Sequence, residues 1–237
     1  MVSPIGIVII LLGNRAAKIK FEVCRKIEDT NHGIGKFIFG SSSSVYGNKP
    51  NVPFSEKDEV ELPISPYAAT KRAGELLCGT YHAIYKLNVF CLRFFTAYGP
   101  RQRPEMAIHK FTRLIDRGLP VPRFGDGSSR RDYTYITDIV KGVMRAVERV
   151  QGYEVINLGR SKTTRLGELI ALLEKHLGKP AVVEAEPEQP GDVVATWADV
   201  SKAQRLLGYD PRVDVEEGVA RFVEWYRKPE SSGRSPR

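Results

Sequence analysis

Cysteine is scarce in this chain, and long hydrophobic runs are missing from it. The three cysteines, Cys24, Cys78 and Cys91, stand singly in apolar stretches and are odd in number. That excludes a fully paired disulfide framework and reads as buried thiols of a reducing compartment. The four histidines, His32, His82, His109 and His176, show no metal-ligand spacing, so no metal site is expected. The opening apolar run, Ile5 to Leu12, is too short to cross a bilayer, and no Lys or Arg precedes it as in a signal peptide. It reads as a buried strand, and the chain as cytoplasmic with no membrane partner. Acidic residues are the minority: 28 Asp+Glu against 36 Lys+Arg leave a net charge of +8 and a pI near 9.4. The excess is spread along the chain. Its densest cluster, Arg123 to Arg131, lies in a Gly/Ser-rich loop. Such a loop suits a diphosphate, and no helix-turn-helix, zinc or RNP pattern accompanies it, so nucleic acid is not an expected partner.

What is present is ample for a globular α/β chain: 237 residues, 42% hydrophobic and 27% charged. Short β-branched or aromatic runs at Ile5 to Leu12, Lys36 to Gly40 and Asn88 to Phe95 alternate with helical segments, the pattern of βαβ units in a mainly parallel sheet. The spacing predicts a helix over Pro66 to Lys86, capped by Ser65, with an apolar stripe at Ala69, Ala73, Leu76, Leu77, Tyr81 and Ile84. Further on it predicts a helix from Asp138 to Val150, a strand from Glu154 to Leu158 and a helix from Leu166 to Leu177 closed by Gly178. A strand at Ala181 to Ala185, a helix after Asp199 or Ser201, and a last helix from about Val215 to Tyr226 follow. The Ser, Gly, Pro and Arg tail from Pro229 to Arg237 reads as disordered.

Two segments carry chemistry: Ser41-Ser42-Ser43-Ser44-Val45-Tyr46-Gly47, and Tyr67-Ala68-Ala69-Thr70-Lys71. A phenol titrates near pH 10 in water, so a tyrosine that acts as a base at neutral pH needs a cation beside it. A lysine four residues later on a helix lies on the same face, one turn on. Of the ten tyrosines, Tyr67 alone has a lysine at that position.

These segments stand in one order with Leu92 to Pro104 (Leu-Arg-Phe-Phe-Thr-Ala-Tyr-Gly-Pro-Arg-Gln-Arg-Pro), Arg131 to Ile139 (Arg-Asp-Tyr-Thr-Tyr-Ile-Thr-Asp-Ile) and Gln189-Pro190-Gly191-Asp192. From about Phe21 to Lys228 the chain resembles the extended short-chain dehydrogenases that act on nucleotide sugars, and most closely the UDP-glucuronate 4-epimerases. The resemblance implies NAD as a regenerated cofactor, with Tyr67 and Lys71 at its nicotinamide ribose. It implies catalysis by Ser42, Tyr67 and Lys71: Ser42 on the sugar O4, Tyr67 taking the O4 proton while hydride leaves C4, Lys71 favouring the phenolate. Sugar dehydratases and decarboxylases of this kind look for a carboxyl just before Val45-Tyr46-Gly47, whereas Ser43 and Ser44 stand here, which argues for epimerisation. A 4-keto glucuronate is a β-keto acid that loses CO2 readily, so its carboxylate must be clamped. The resemblance puts that task on Thr96 and Arg103, with Ser43 or Ser44 opposite, because a guanidinium fork fixes a carboxylate plane. It further implies Arg131 on the diphosphate and Asp192 on the uridine ribose, with Gln189 where relatives often carry an arginine. The implied partners are a UDP-sugar and a second copy of the chain, docked through the helix that carries Tyr67 and Lys71.

The front departs from that pattern. Residues 1–36 contain no Gly-x-x-Gly-x-x-Gly loop for the NAD pyrophosphate. Lys18 to Arg25 reads as the helix before the serine strand, and the match dissolves upstream of it. The expected architecture is therefore a partial Rossmann-like, doubly wound parallel sheet with a smaller C-terminal α/β substrate-binding domain. In that layout residues 1–99 form a truncated NAD-binding and catalytic region, 100–132 a substrate-binding segment and 133–160 a return to the sheet. Residues 161–228 form the C-terminal substrate domain and 229–237 the tail. A UDP-glucose/galactose 4-epimerase, or a nucleotide-sugar-binding chain without catalysis, are the alternatives that the residues leave open.

Overall fold

A computed structural model of the chain describes residues 6–10, 34–187 and 195–228. In chain order it contains β1 (Gly6–Ile10), β2 (Ile34–Ser42), a 3-10 turn (Ser43–Tyr46), α1 (Pro66–Tyr85), β3 (Asn88–Phe94), β4 (Thr96–Tyr98), α2 (Ala107–Asp116), β5 (Val121–Phe124) and β6 (Arg130–Arg131). It continues with β7 (Tyr133–Tyr135), α3 (Ile136–Arg149), β8 (Tyr153–Leu158), β9 (Thr164–Arg165), α4 (Leu166–Leu177), β10 (Val183–Glu186), α5 (Ser201–Leu207) and α6 (Val215–Arg227). The expected helix at Lys18 to Arg25, Cys24, His32, the residues Gln189, Gly191 and Asp192, and the tail from Pro229 onward lie outside the described residues.

Four strands form one sheet in the order β1-β2-β3-β8, each neighbouring pair parallel. Side chains alternate across a strand, and β2 shows it. Phe37 and Phe39 join Cys78, Leu87, Val89 and Cys91 under α1, while Ile38 joins Phe90, Leu92, Ile139, Ile156 and Leu207 in the layer with α3 and α5. Both faces are thus covered, as a parallel sheet requires. A separate core of Ile108, Phe111, Leu169, Leu173, Val219 and Phe222 is built where α2, α4 and α6 meet, so it takes residues both from the 100–132 segment and from residues 161–228. The short parallel ladder of β5 and β10 adjoins it through Val121.

Most expected elements are present with shifted ends. β2 gains two residues at each end relative to Lys36 to Gly40, and α3 starts at Ile136 instead of Asp138. Helix α2 was not anticipated, although Ile108, Phe111, Thr112 and Ile115 make a buried helical stripe. The apolar stripe read on α1 is a correction. Its buried residues are Ala68, Lys71, Gly74, Glu75 and Cys78, whereas Ala69 and Ala73 are exposed and Leu76 and Ile84 are 56% and 63% exposed. Polar side chains took the inner face because they find partners there, as the site shows. Cys78 and Cys91 are buried free thiols, and burial pushes the Cys91 thiol up, away from reactive thiolate. His82 and His109 have ring partners, whereas His176 Nε2 is buried without one among the described residues. No helix among the described residues is long and apolar enough to cross a membrane.

Candidate active site

The C-terminal ends of β2 and β3 open on a cleft of about 630 Å³, the usual place for a ligand in an open α/β sheet. Helix α1 supplies one wall. The hydroxyl of Ser65 accepts from the Ala68 amide at 3.1 Å and Pro66 fills the first turn, so the helix begins just where Tyr67 faces the cleft. One turn on, Lys71 is 2% exposed, and its Nζ donates to the Gly40 carbonyl at 2.7 Å and lies 5.6 Å from the centre of the Tyr67 ring. Burial pushes its pKa down from 10.5 to about 8.

A further turn on, Glu75 is fully buried and gathers four donors: Ser41 Oγ at 2.6 Å, Arg93 Nε at 2.8 Å, Arg93 Nη2 at 2.9 Å and Arg72 Nη1 at 3.2 Å. The Arg93 guanidinium also lies 4.7 Å from the centre of the Tyr46 ring, whose hydroxyl donates to Asn157 Oδ1 at 2.7 Å. Lys71 and Glu75 therefore pin α1 to the end of β2 at two successive residues, Gly40 and Ser41. Sequence reading missed Glu75 and Arg93. The i,i+4 spacing of Lys71 and Glu75 was a signal for them.

Ser42 and Ser43 line the cleft, as do Thr96 and Arg103. Ser42 Oγ accepts from the Ser44 amide at 3.2 Å, which leaves its own O–H free to donate into the cleft. Ser44 does not line the cleft, and its Oγ is buried with no hydrogen-bond partner among the described residues. Of the two serines suggested opposite Arg103, the geometry therefore favours Ser43. Arg103 is exposed, 3.4 Å from Glu105, with Nη2 3.6 Å from Met106 Sδ. Arg101, Gln102 and Met106 complete that wall together with Phe94, Phe95 and Ala97. Sequence reading assigned Arg101 no role.

Arg131 is not in the cleft lining. It lies in β6, antiparallel to β9, with Nη1 donating to the Arg130 carbonyl at 3.0 Å. The adjoining Asp132 is fully buried and accepts from Thr134 Oγ1 and from the amides of Arg160, Ser161 and Ala198 at 2.7 to 3.1 Å. It ties the strand of Arg131 to the segment that follows the undescribed residues 188–194, among them Asp192. Burial raises the Asp132 pKa against these donors.

The family model described as GDP-mannose 4,6 dehydratase matches residues 19–222. The UDP-glucuronate 4-epimerase of Thermodesulfobacterium geofontis is 43% identical over 198 residues, which are 83% of this chain and 60% of that protein. Among solved structures, UDP-glucuronic acid 4-epimerase from Bacillus cereus in complex with UDP-glucuronic acid and NAD superposes with a TM-score of 0.82. It is 39% identical, covering 87% of this chain and 66% of that one. UDP-glucose 4-epimerase from Thermotoga maritima with UDP-glucose gives 0.83 at 32% identity, covering 93% and 77%. The chain spans about three fifths of the length of the curated relatives it matches.

Proposed function

Because this chain belongs to the GDP-mannose 4,6-dehydratase-like family of NAD-dependent epimerases and dehydratases, we propose that it acts as a 4-epimerase on a UDP-hexuronate, interconverting UDP-glucuronate and UDP-galacturonate. The observation that carries this reading is the make-up of the cleft. Ser42, Ser43, Tyr67 and Thr96 bring hydroxyls, Lys71, Arg101 and Arg103 bring cations, and no carboxylate is among its described lining. Hydroxyls beside an ammonium suit removal of a proton from a sugar hydroxyl, and guanidiniums suit an acidic sugar.

The residues present fit the nicotinamide end of NAD, since a buried ammonium stands beside Tyr67 where the cleft opens. Lys71 and Tyr67 would hold it there, and residues 1–36 offer no Gly-x-x-Gly-x-x-Gly loop for its pyrophosphate. When bound, NAD supplies the oxidation of C4 and the return of the same two electrons. Ser42 donates a hydrogen bond to O4 and Tyr67 takes the O4 proton. Lys71 stabilises the phenolate form of Tyr67 that accepts this proton. Thr96, Ser43 and Arg103 hold the carboxylate away from the geometry that expels CO2. Arg131 pairs with the diphosphate and Asp192 with the uridine ribose. Two copies associate through the exposed stripe of α1, and the two described free thiols suit a reducing cytoplasm.

A second reading, a UDP-glucose/galactose 4-epimerase, is favoured by the likeness to the Thermotoga maritima enzyme. Calorimetry separates the two. The chain should bind UDP-glucuronate about tenfold more tightly than UDP-glucose, the discrimination expected of a charge-assisted pair. Turnover is read in a chimera that carries, ahead of β2, the corresponding N-terminal part of the Bacillus cereus enzyme, whose structure is in complex with NAD. It should form UDP-galacturonate without releasing CO2. A pentose product, or turnover of UDP-glucose alone, overturns the reading.

A further inference from the structure

The loop after β4 brings two guanidiniums to the cleft, and only Arg103 has been given a contact of its own. Arg101 lines the cleft as well, and it does so from a left-handed backbone, with φ at +66°. A residue with a Cβ occupies that region only against a steric penalty, and such outliers persist where surrounding structure over-determines them.

Here the neighbour Gln102 does so. Its amide donates to the Gly99 carbonyl at 3.1 Å, and its Nε2 to the Ala97 carbonyl at 3.2 Å. Its Oε1 accepts from the His109 amide at 3.2 Å, and its carbonyl lies 2.6 Å from His109 Nδ1. A carbonyl only accepts, so Nδ1 carries the proton. The His109 ring is in turn held edge-on by Phe222 and Trp225 of α6, at 5.5 and 5.8 Å between centres. The loop is thus locked to β4 on one side and to the C-terminal core on the other, with Arg101 committed to the cleft.

Charge adds an independent argument. Arg103 is shared with Glu105 at 3.4 Å, while Arg101 makes no ion pair among the described residues. Arg101 therefore provides the net positive charge of this wall.

We propose that Arg101 is a specificity-determining residue, a second guanidinium that receives the hexuronate carboxylate alongside Arg103. The inference rests on the hexuronate reading given above and deepens it. A single fork satisfies one edge of a carboxylate, and a second donor group approaching from the other side fixes its plane more firmly.

The test is calorimetric titration of the parent chain, Arg101→Gly and Arg101→Gln with UDP-glucuronate and with UDP-glucose, together with a thermal melt of each. Glycine removes both the charge and the backbone penalty, and glutamine keeps the Cβ while removing only the charge. Both variants should lose about fivefold to tenfold in affinity for UDP-glucuronate, the scale of one charge-assisted contact. UDP-glucose should bind within about twofold of the parent, because its neutral sugar has no group to lose. Arg101→Gly should melt no lower than the parent, since its backbone is relieved. If both variants keep the parent's preference, Arg101 is a solvated loop cation and this inference alone falls. If the parent chain itself shows no preference for the acidic sugar, the hexuronate reading falls and takes the inference with it.

Discussion

Lys71 shows how one residue is set by its surroundings. Burial holds its pKa at about 8 in the folded chain against 10.5 for a free lysine. Between those two values the unfolded chain binds more protons than the folded one, so stability rises with pH across the window. Below about pH 8 the cost of the buried ammonium is present in full. Lys71→Met removes this dependence: its urea midpoint should exceed the parent's by most at pH 7, and the gap should narrow toward pH 10. In the chimera, turnover should decline as the pH passes about 8, because the cation beside Tyr67 is lost. Tyr67→Phe should abolish turnover there and leave UDP-glucuronate binding within about twofold. Arg103→Lys keeps the charge and loses the fork, so epimerisation should fall about tenfold to a hundredfold and a UDP-pentose should appear in the product analysis. An unchanged rate and product ratio would remove Arg103 from the clamp.

Helix α1 carries two messages on two faces. The inner face holds Lys71, Gly74, Glu75 and Cys78 against β2 and β3. A Cβ built at Gly74 would stand 2.2 Å from Phe39 Cζ, so the close approach of helix and strand depends on glycine. Gly74→Ala should destabilise the chain by about 1 to 3 kcal/mol in urea melts, the usual range for overpacking. It should also slow the chimera, because the bonds from Lys71 to the Gly40 carbonyl and from Ser41 to Glu75 fix the helix of Tyr67 against the strand of Ser42. The outer face exposes Leu76 and Ile84. If a second copy covers that face, Leu76→Glu with Ile84→Glu should convert a dimer to a folded monomer in analytical ultracentrifugation, with the thermal melt retained.

At the scale of the molecule, the described residues build two cores: the sheet with its helices, and the unit of α2, α4 and α6. Asp132 is a main tie between the segments that cross between them, with three backbone amides and one hydroxyl on its carboxylate. The NAD side of the cleft has only its nicotinamide end assigned to residues. From a sequence without the glycine loop, NAD should bind the 237-residue chain with a Kd of roughly tens of micromolar or weaker. Submicromolar binding in calorimetry would show that another surface holds the pyrophosphate.

The sequence by itself determined the kind of most of the longer elements, α2 excepted, because period-2 and helical patterns, Ser65, Gly178 and the Tyr67 to Lys71 spacing are local signals. It also singled out Ser42, Ser43, Tyr67, Lys71, Thr96 and Arg103, which the fold brings to one cleft. Only the tertiary structure decided which face of α1 is buried. Hydrophobicity pointed to Leu76 and Ile84, but Glu75 and Lys71 go inward because Arg93, Ser41 and the Gly40 carbonyl, all distant in sequence, pair with them there. The same holds for Arg101. Nothing local marks it, since its left-handed backbone is imposed by Gln102 and by a histidine that aromatic rings more than a hundred residues on hold in place. Such contacts depend on three-dimensional proximity, and no window of sequence contains them.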